Sequence, residues 1–481
     1  MAVHPESNNM KILLVYPPQE NSVSHSPQGK ISEKAGIFPP VGLLNLVSPV
    51  IESGKHEIKI LDTIAEQISY PEIEEYIKSE KPDVVGVSCN TVYLLDAVLV
   101  ARIAKKLNPG IITVAGGPHV DLYPIETVTL KEFDYAIRGE AELVFLPFLD
   151  SIEKKGDPGD LPGVITKTNL NKKIETLCVK DIENLPIPNR RLLPYKKYNS
   201  FITKGKPITI IMASRGCPYN CAFCPSGKMK IRMRSAEKVI EEIEDCLKLG
   251  IKDILFFDEL FNYNYNRATE ICDRIIAKNL KLRWHVRARA ESFDEKLLKK
   301  MKQAGCNLIQ LGIESGTERG QKILNKNLNL KKVEEIVRMI RKAGILAYGN
   351  FMIGLPGEKR EEITETVEFA NKLNLDYAVF SVTQIPPGTE FYRSALKNKV
   401  ISYDFWKDHA LNPDKKIENI YWPVDFSQQK LYDMSVESYR KFYLRPKYFL
   451  NFVFRVASLR QIFLQFKAAI TLFYEFFTRR R

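Results

Sequence analysis

A chain of 481 residues with 44% hydrophobic and 27% charged residues is long enough for two or three well-filled cores. It has no run near the roughly 18 apolar residues of a membrane span, no apolar signal core in Met1 to Met10, and too few cysteines for a disulfide framework, so a cytoplasmic location is expected. The net charge of +13 concentrates at one end, where Lys430 to Arg481 carries eleven Lys or Arg against Asp433, Glu437 and Glu475, which points away from a nucleic-acid-binding body.

Lys11-Ile-Leu-Leu-Val-Tyr16 is a continuous apolar run ending at Pro17-Pro18, as expected of a strand buried on both faces of a parallel sheet. Ile58–Leu61, Val84–Val87, Ile111–Val114 and Tyr135–Ile137 repeat the pattern, with helical stretches at Ile73–Ser79 and Leu95–Leu107 between them. This alternation predicts a doubly wound α/β domain over residues 1–150, with its ligand crevice at the carboxyl ends of the strands. Gly116-Gly117-Pro118-His119 follows one such strand and falls at that crevice, where it is either a ligand cradle or a plain strand-to-helix turn. Residues 151–206 are rich in Gly, Pro and polar side chains and read as a linker with one short strand at Val164-Ile165.

From 207 to 395 the chain alternates strand and helix six times, which predicts an open, partial (β/α)6 TIM-type barrel with its chemistry at the carboxyl ends of the strands. In the stretch 236–249, Val239, Ile240, Ile243, Cys246 and Leu247 form one apolar helical stripe. Charged clusters end the later strands: Asp258 and Glu259, Arg287 and Arg289, Glu314 with Ser315, and Gly354 to Glu358. Such groups are costly to desolvate unless they meet a polar ligand or one another.

The first barrel strand runs into Ser214-Arg-Gly-Cys217-Pro-Tyr-Asn-Cys221-Ala-Phe-Cys224-Pro225. Three thiols cannot pair off among themselves, and soft thiolates select iron–sulfur clusters, zinc or Cu(I). Zinc would want a fourth ligand, yet the loop holds no histidine and the nearest downstream is His285. Cys89, Cys178, Cys246, Cys272 and Cys306 are scattered singly, as small buried hydrophobes usually are.

This cysteine spacing, with Phe223 before the last thiol, resembles the signature of the radical S-adenosylmethionine (SAM) enzymes. The resemblance implies that Cys217, Cys221 and Cys224 hold a four-iron four-sulfur cluster whose fourth iron is chelated by the amino and carboxylate groups of SAM, and that one electron cleaves SAM to methionine and a 5′-deoxyadenosyl radical. It further implies SAM contacts at Phe223, Asp258 and Glu259 (in place of the family's Gly-Gly-Glu), Arg287 or Arg289, Glu314 with Ser315, and Gly354 with Glu358. Pro39-Pro40-Val-Gly42, Leu61-Asp62, Gly86 to Thr91, Gly116 to His119 and Arg138-Gly-Glu140 together resemble the cobalamin-binding domain that precedes the barrel in one large subfamily. Ser88, Gly116, Gly117 and His119 are then the implied cobalamin contacts. The loop after the first strand departs from the cobalamin mutases, because it lacks their cobalt-ligating histidine.

The final region, 396–481, is expected to be helical, aromatic and basic. Its apolar residues and interspersed cations suit either membrane-surface contact or a helix pair capping the barrel. The expected activity is that of a cobalamin-dependent radical SAM enzyme, a C-methyltransferase acting on a hydrophobic substrate such as a lipid, isoprenoid or tetrapyrrole, with a one-electron donor such as ferredoxin or flavodoxin. The alternatives are radical SAM chemistry without cobalamin, forming rings or oxidising, and a cobalamin or iron–sulfur electron carrier.

Overall fold

The computed structural model describes residues 9–23, 36–417, 421–422, 426–446 and 448. Two compact units result. The first draws its described residues from Met1–His25, Pro39–Lys197 and Tyr403–Glu418, the second from Ser26–Phe38, Tyr198–Ser402 and Asn419–Arg481.

In the first unit, β1 (Lys11–Tyr16), β2 (Glu57–Asp62), β3 (Val84–Ser88), β4 (Ile112–Gly116) and β5 (Tyr135–Ile137) are parallel, and β6 (Val164–Thr166) adds antiparallel to β5. The order is β2-β1-β3-β4-β5-β6. Ile12 to Val15 are buried at every position, the continuous burial of a sheet covered on both faces. Strand order reverses direction between β1 and β3, so the crevice opens beyond Tyr16 and Ser88.

Two expectations are corrected in this unit. The stretch expected as a linker belongs to the first unit up to Lys197: its short strand pairs Ile165 with Ala136 in the ladder, and the Val179 N–H donates to Glu140 Oε2 at 2.8 Å. A bare β5 edge would leave its backbone groups open to wrong partners, and this segment closes it. Part of the expected C-terminal tail also lies here. Helix Phe405–Leu411 buries Phe405 and Trp406 in the first unit. The turn after it is anchored by a two-pronged pair, Arg102 Nη1 and Nη2 to Asp414 at 3.0 and 2.8 Å.

The second unit has six parallel strands, β7 (Ile208–Ile211), β8 (Asp253–Phe256), β9 (Arg283–Ala288), β10 (Cys306–Glu314), β11 (Leu346–Ile353) and β12 (Tyr377–Val382), in the order β12-β11-β10-β9-β8-β7. This is the open, partial barrel that the alternation predicts. Its outer helices bury the expected stripes, including Val239, Ile240, Ile243 and Cys246 on helix Ala236–Lys248.

Helix Gln428–Tyr443 packs on β12 and satisfies its backbone with hydroxyls. Tyr443 Oη donates to the Ala378 carbonyl at 2.8 Å and accepts from its N–H at 3.0 Å, while Ser435 Oγ donates to the Phe380 carbonyl at 2.9 Å. Phe380 stacks on Phe351 and meets Tyr439 edge-on, with ring centroids 5.3 and 5.6 Å away. Among the described residues no helix is long and apolar enough to cross a membrane. The apolar, basic run expected to touch a membrane surface lies outside the described residues from 449 onward.

Phe380→Ala should lower the stability of the second unit by about 3–5 kcal/mol, the range for emptying a buried aromatic site. Denaturant unfolding followed by tyrosine and tryptophan fluorescence checks this.

Candidate active site

The cysteine loop leaves β7 at the barrel mouth and is tied down from several directions. Asp258, fully buried just beyond β8, accepts the Ala213 N–H at Oδ1 and the Ser214 hydroxyl at Oδ2, both at 2.7 Å. Burial raises its pKa, opposed by the Arg267 cation and these donors. Arg267 in turn donates to the Ala213 and Arg234 carbonyls at 2.7 and 2.6 Å. The tip of the loop is held by the turn at 324–326: Ala222 N–H donates to the Leu324 carbonyl at 2.9 Å and Asn325 Nδ2 to the Asn220 carbonyl at 2.7 Å.

Cys217, Cys221 and Cys224 are partly buried and form no disulfide among the described residues. Burial pushes the Cys217 and Cys224 thiols up; the backbone N–H groups of Tyr219 and Ser226 pull against that, and Glu259 and the neighbouring sulfurs add to it. Thiols crowded together beside a carboxylate suit a cationic centre, which removes their protons. Cys89, Cys246, Cys272 and Cys306 are buried in the cores.

Around the loop the other expected residues divide. Glu259 is exposed and lies close enough to Cys217, Cys224 and Arg287 to interact with each. The Arg287 guanidinium lies 3.5 Å over the Phe257 ring and makes no hydrogen bond among the described residues, while burial pushes its pKa down. Arg289 is already engaged, by Glu291 and the Lys326 carbonyl at 2.5 Å each, and its guanidinium covers the Tyr219 ring at 4.0 Å. Glu314 ends β10 at a register shift with φ of 69°, a conformation costly for a residue with a side chain. Its Oε1 accepts from Lys326 Nζ at 3.0 Å.

Three expected contacts face the protein instead. Asp258 has both oxygens committed to the loop root. Ser315 is fully buried and its hydroxyl pairs with Thr317 at 3.2 Å. Glu358 is buried, with Oε2 accepting the Gly354 and Leu355 N–H groups at 2.6 and 2.9 Å; burial raises its pKa to about 7. It braces the Gly354 turn, whose φ of 74° suits glycine. Phe223 lies between Cys221 and Cys224, 5.7 Å below the Lys326 ammonium.

At the crevice of the first unit, a Cβ added to Gly116 would meet no atom of the described residues within 4 Å, so among them the end of β4 is open beside Ser88. Gly117 is instead required by its own turn: φ is 101° and a Cβ would sit 2.9 Å from the Cys89 carbonyl. His119, expected at the corrin, is fully buried. Its Nδ1 pairs with Thr91 Oγ1 at 3.0 Å and its ring lies 5.5 Å from that of Tyr123. It braces the loop after β3.

A model of the radical SAM superfamily matches residues 211–370 and one of the B12-binding domain matches residues 31–148. An uncharacterized methyltransferase of Pyrococcus horikoshii is 35% identical over 456 residues, 92% of this chain and 95% of that protein. The chain belongs to the radical SAM enzymes that carry a B12-binding domain. The cofactors of this enzyme are accordingly a four-iron four-sulfur cluster, SAM and cobalamin. An anaerobic magnesium-protoporphyrin IX monomethyl ester cyclase of Rubrivivax gelatinosus is 28% identical over 92% of this chain and 79% of its own length. Among solved structures, the radical SAM methyltransferase TsrM from Kitasatospora setae shares the fold, with a TM-score of 0.66 at 20% identity over 81% of this chain and 78% of that one.

Lys326 escaped the sequence reading. The available signal was Asn325-Lys326-Asn327, whose two asparagines take left-handed φ of 48° and 52° and so mark a tight turn.

Burial lowers the His119 pKa from 6.5 to about 3. A folded pKa below the unfolded one means this imidazole stabilises the fold above pH 6.5, and that contribution fades as pH falls toward 3. Stability of the first unit should therefore drop by about 1.4 kcal/mol per pH unit below 6.5 from this residue, and His119→Gln should flatten that slope in melts from pH 7 to 5.

Proposed function

We propose that this enzyme methylates an unactivated carbon of a hydrophobic substrate, a tetrapyrrole or an isoprenoid lipid. The observation that carries the reading is the three-cysteine loop, opening beside Arg287 and Glu259 with every other described cysteine but Cys178 sealed in a core. When bound, the cluster supplies the electron that cleaves SAM, and cobalamin supplies a carrier for the methyl group.

In this reading Cys217, Cys221 and Cys224 ligate three irons, and the N–H groups of Tyr219 and Ser226 stabilise the Cys217 and Cys224 thiolates. Asp258 positions the loop. Glu259 meets the SAM ammonium and Arg287 its carboxylate, since opposite charges stand ready on the same side of the mouth. Glu314 accepts from the ribose hydroxyls, and the Gly354 turn lies along the adenine. Gly116 and Ser88 leave room for the corrin. Support for the substrate class comes from the tetrapyrrole cyclase relative and from the basic, apolar C-terminal run. The same run, with anionic lipid headgroups, would bring the enzyme to a membrane surface.

Reconstituted protein given SAM, cobalamin and a reductant should release 5′-deoxyadenosine, and Cys221→Ala should lose both the cluster absorbance and the product. A protein with its cluster intact that makes no 5′-deoxyadenosine overturns the reading. Comparing lipid and pigment extracts of cells with and without the gene should reveal a compound lacking one methyl group.

Gly116→Leu fills the open space at the crevice and should cut the cobalamin retained after gel filtration at least tenfold, with the iron content unchanged. Equal retention would place the corrin elsewhere.

A further inference from the structure

Lys326 is bound into the site from both sides. Its carbonyl accepts Arg289 Nη2 at 2.5 Å, and that guanidinium covers Tyr219 of the cysteine loop. Its ammonium reaches Glu314 Oε1 at 3.0 Å, with about nine-tenths of both side chains withdrawn from water: 11% and 10% remain exposed. The pair needs a bare backbone beneath it, because a Cβ at Gly312 would come within 2.6 Å of both Glu314 Oε1 and Lys326 Nζ. The same ammonium lies 5.7 Å over Phe223, between Cys221 and Cys224, and close enough to Cys217 to interact with it. Adjacent residues carry the contacts to Ala222 and Asn220, so the charge sits on the turn that fastens the cysteine loop.

Two consequences follow from electrostatics. Holding Glu314 by Oε1 leaves Oε2 to accept from a ligand hydroxyl and fixes the carboxylate despite its strained backbone. A fixed cation beside thiolate ligands stabilises the form of the cluster that carries one more electron, and little water screens it here. We propose that Lys326 is a positioning residue that orients Glu314 for SAM and raises the reduction potential of the neighbouring cluster. This rests on the radical SAM reading of Cys217, Cys221 and Cys224.

The test uses the reconstituted full chain, with iron content confirmed, in redox titrations followed by electron paramagnetic resonance and in SAM titrations followed by the change in the cluster spectrum. Lys326→Met should shift the midpoint to more negative potential and weaken SAM binding about tenfold, the size expected for losing one charge-assisted contact. Lys326→Arg should restore both. Glu314→Gln, which leaves the ammonium unneutralised, should move the midpoint the other way. Equal midpoints in wild type and Lys326→Met overturn the proposal. If Lys326→Met takes up no iron, an unmoved midpoint in Glu314→Gln overturns it instead. A wild-type cluster that does not respond to SAM would fail the underlying reading, a separate and distinguishable result.

Discussion

The catalytic unit depends on a buried carboxylate. Asp258 has no exposed surface, and its two oxygens receive the backbone of Ala213 and the hydroxyl of Ser214, where β7 gives way to the cysteine loop. A buried carboxylate left without partners would cost several kcal/mol, so β8 and the loop root are held in one arrangement. Arg267 closes the same knot from the helix side through the carbonyls of Ala213 and Arg234. Three cysteines on a loop make a metal site only if the loop keeps its shape. Here the strand ends of the barrel enforce it.

The opposite flank of the loop is fastened by the turn after helix Glu318–Ile323, at Leu324, Asn325 and Lys326. That turn also delivers a cation to Glu314, whose backbone has been forced out of the strand's ordinary conformation at a register shift with β11. Strain of this kind persists where surrounding contacts over-determine it, and it recurs at binding sites. The charged strand ends therefore serve two purposes. Asp258, Arg289 and Glu358 hold backbone in place, Glu314 pairs with Lys326, and Arg287 lies beside Glu259.

The first unit shows the same division between bracing and contact. Gly116 and Ser88 stand at an open crevice, whereas Gly117 and His119 serve the turn that shapes it. Burial keeps the His119 imidazole neutral. A histidine in a motif beside a cofactor crevice invites a ligand role; its environment in three dimensions gives it a structural one. The unit also recruits chain from far along the sequence, since the Phe405–Leu411 helix and the Arg102–Asp414 pair complete it.

What the sequence by itself determined was periodic or local. Continuous apolar runs marked the parallel strands because burial on both faces leaves no polar position, and one-sided stripes marked the helices. Three thiols at fixed spacing announced a metal loop because the loop alone must bring them together. Only the tertiary structure decided which polar residues are committed to protein backbone. Asp258 and Glu259 are neighbours with opposite duties, and a side chain's direction at a strand end is set by partners on other elements, here Ala213, Ser214 and Arg267 for one and Arg287 for the other. Lys326 carries no periodicity at all, and its contact with Glu314 exists because a turn twelve residues on folds back over the bare backbone of Gly312.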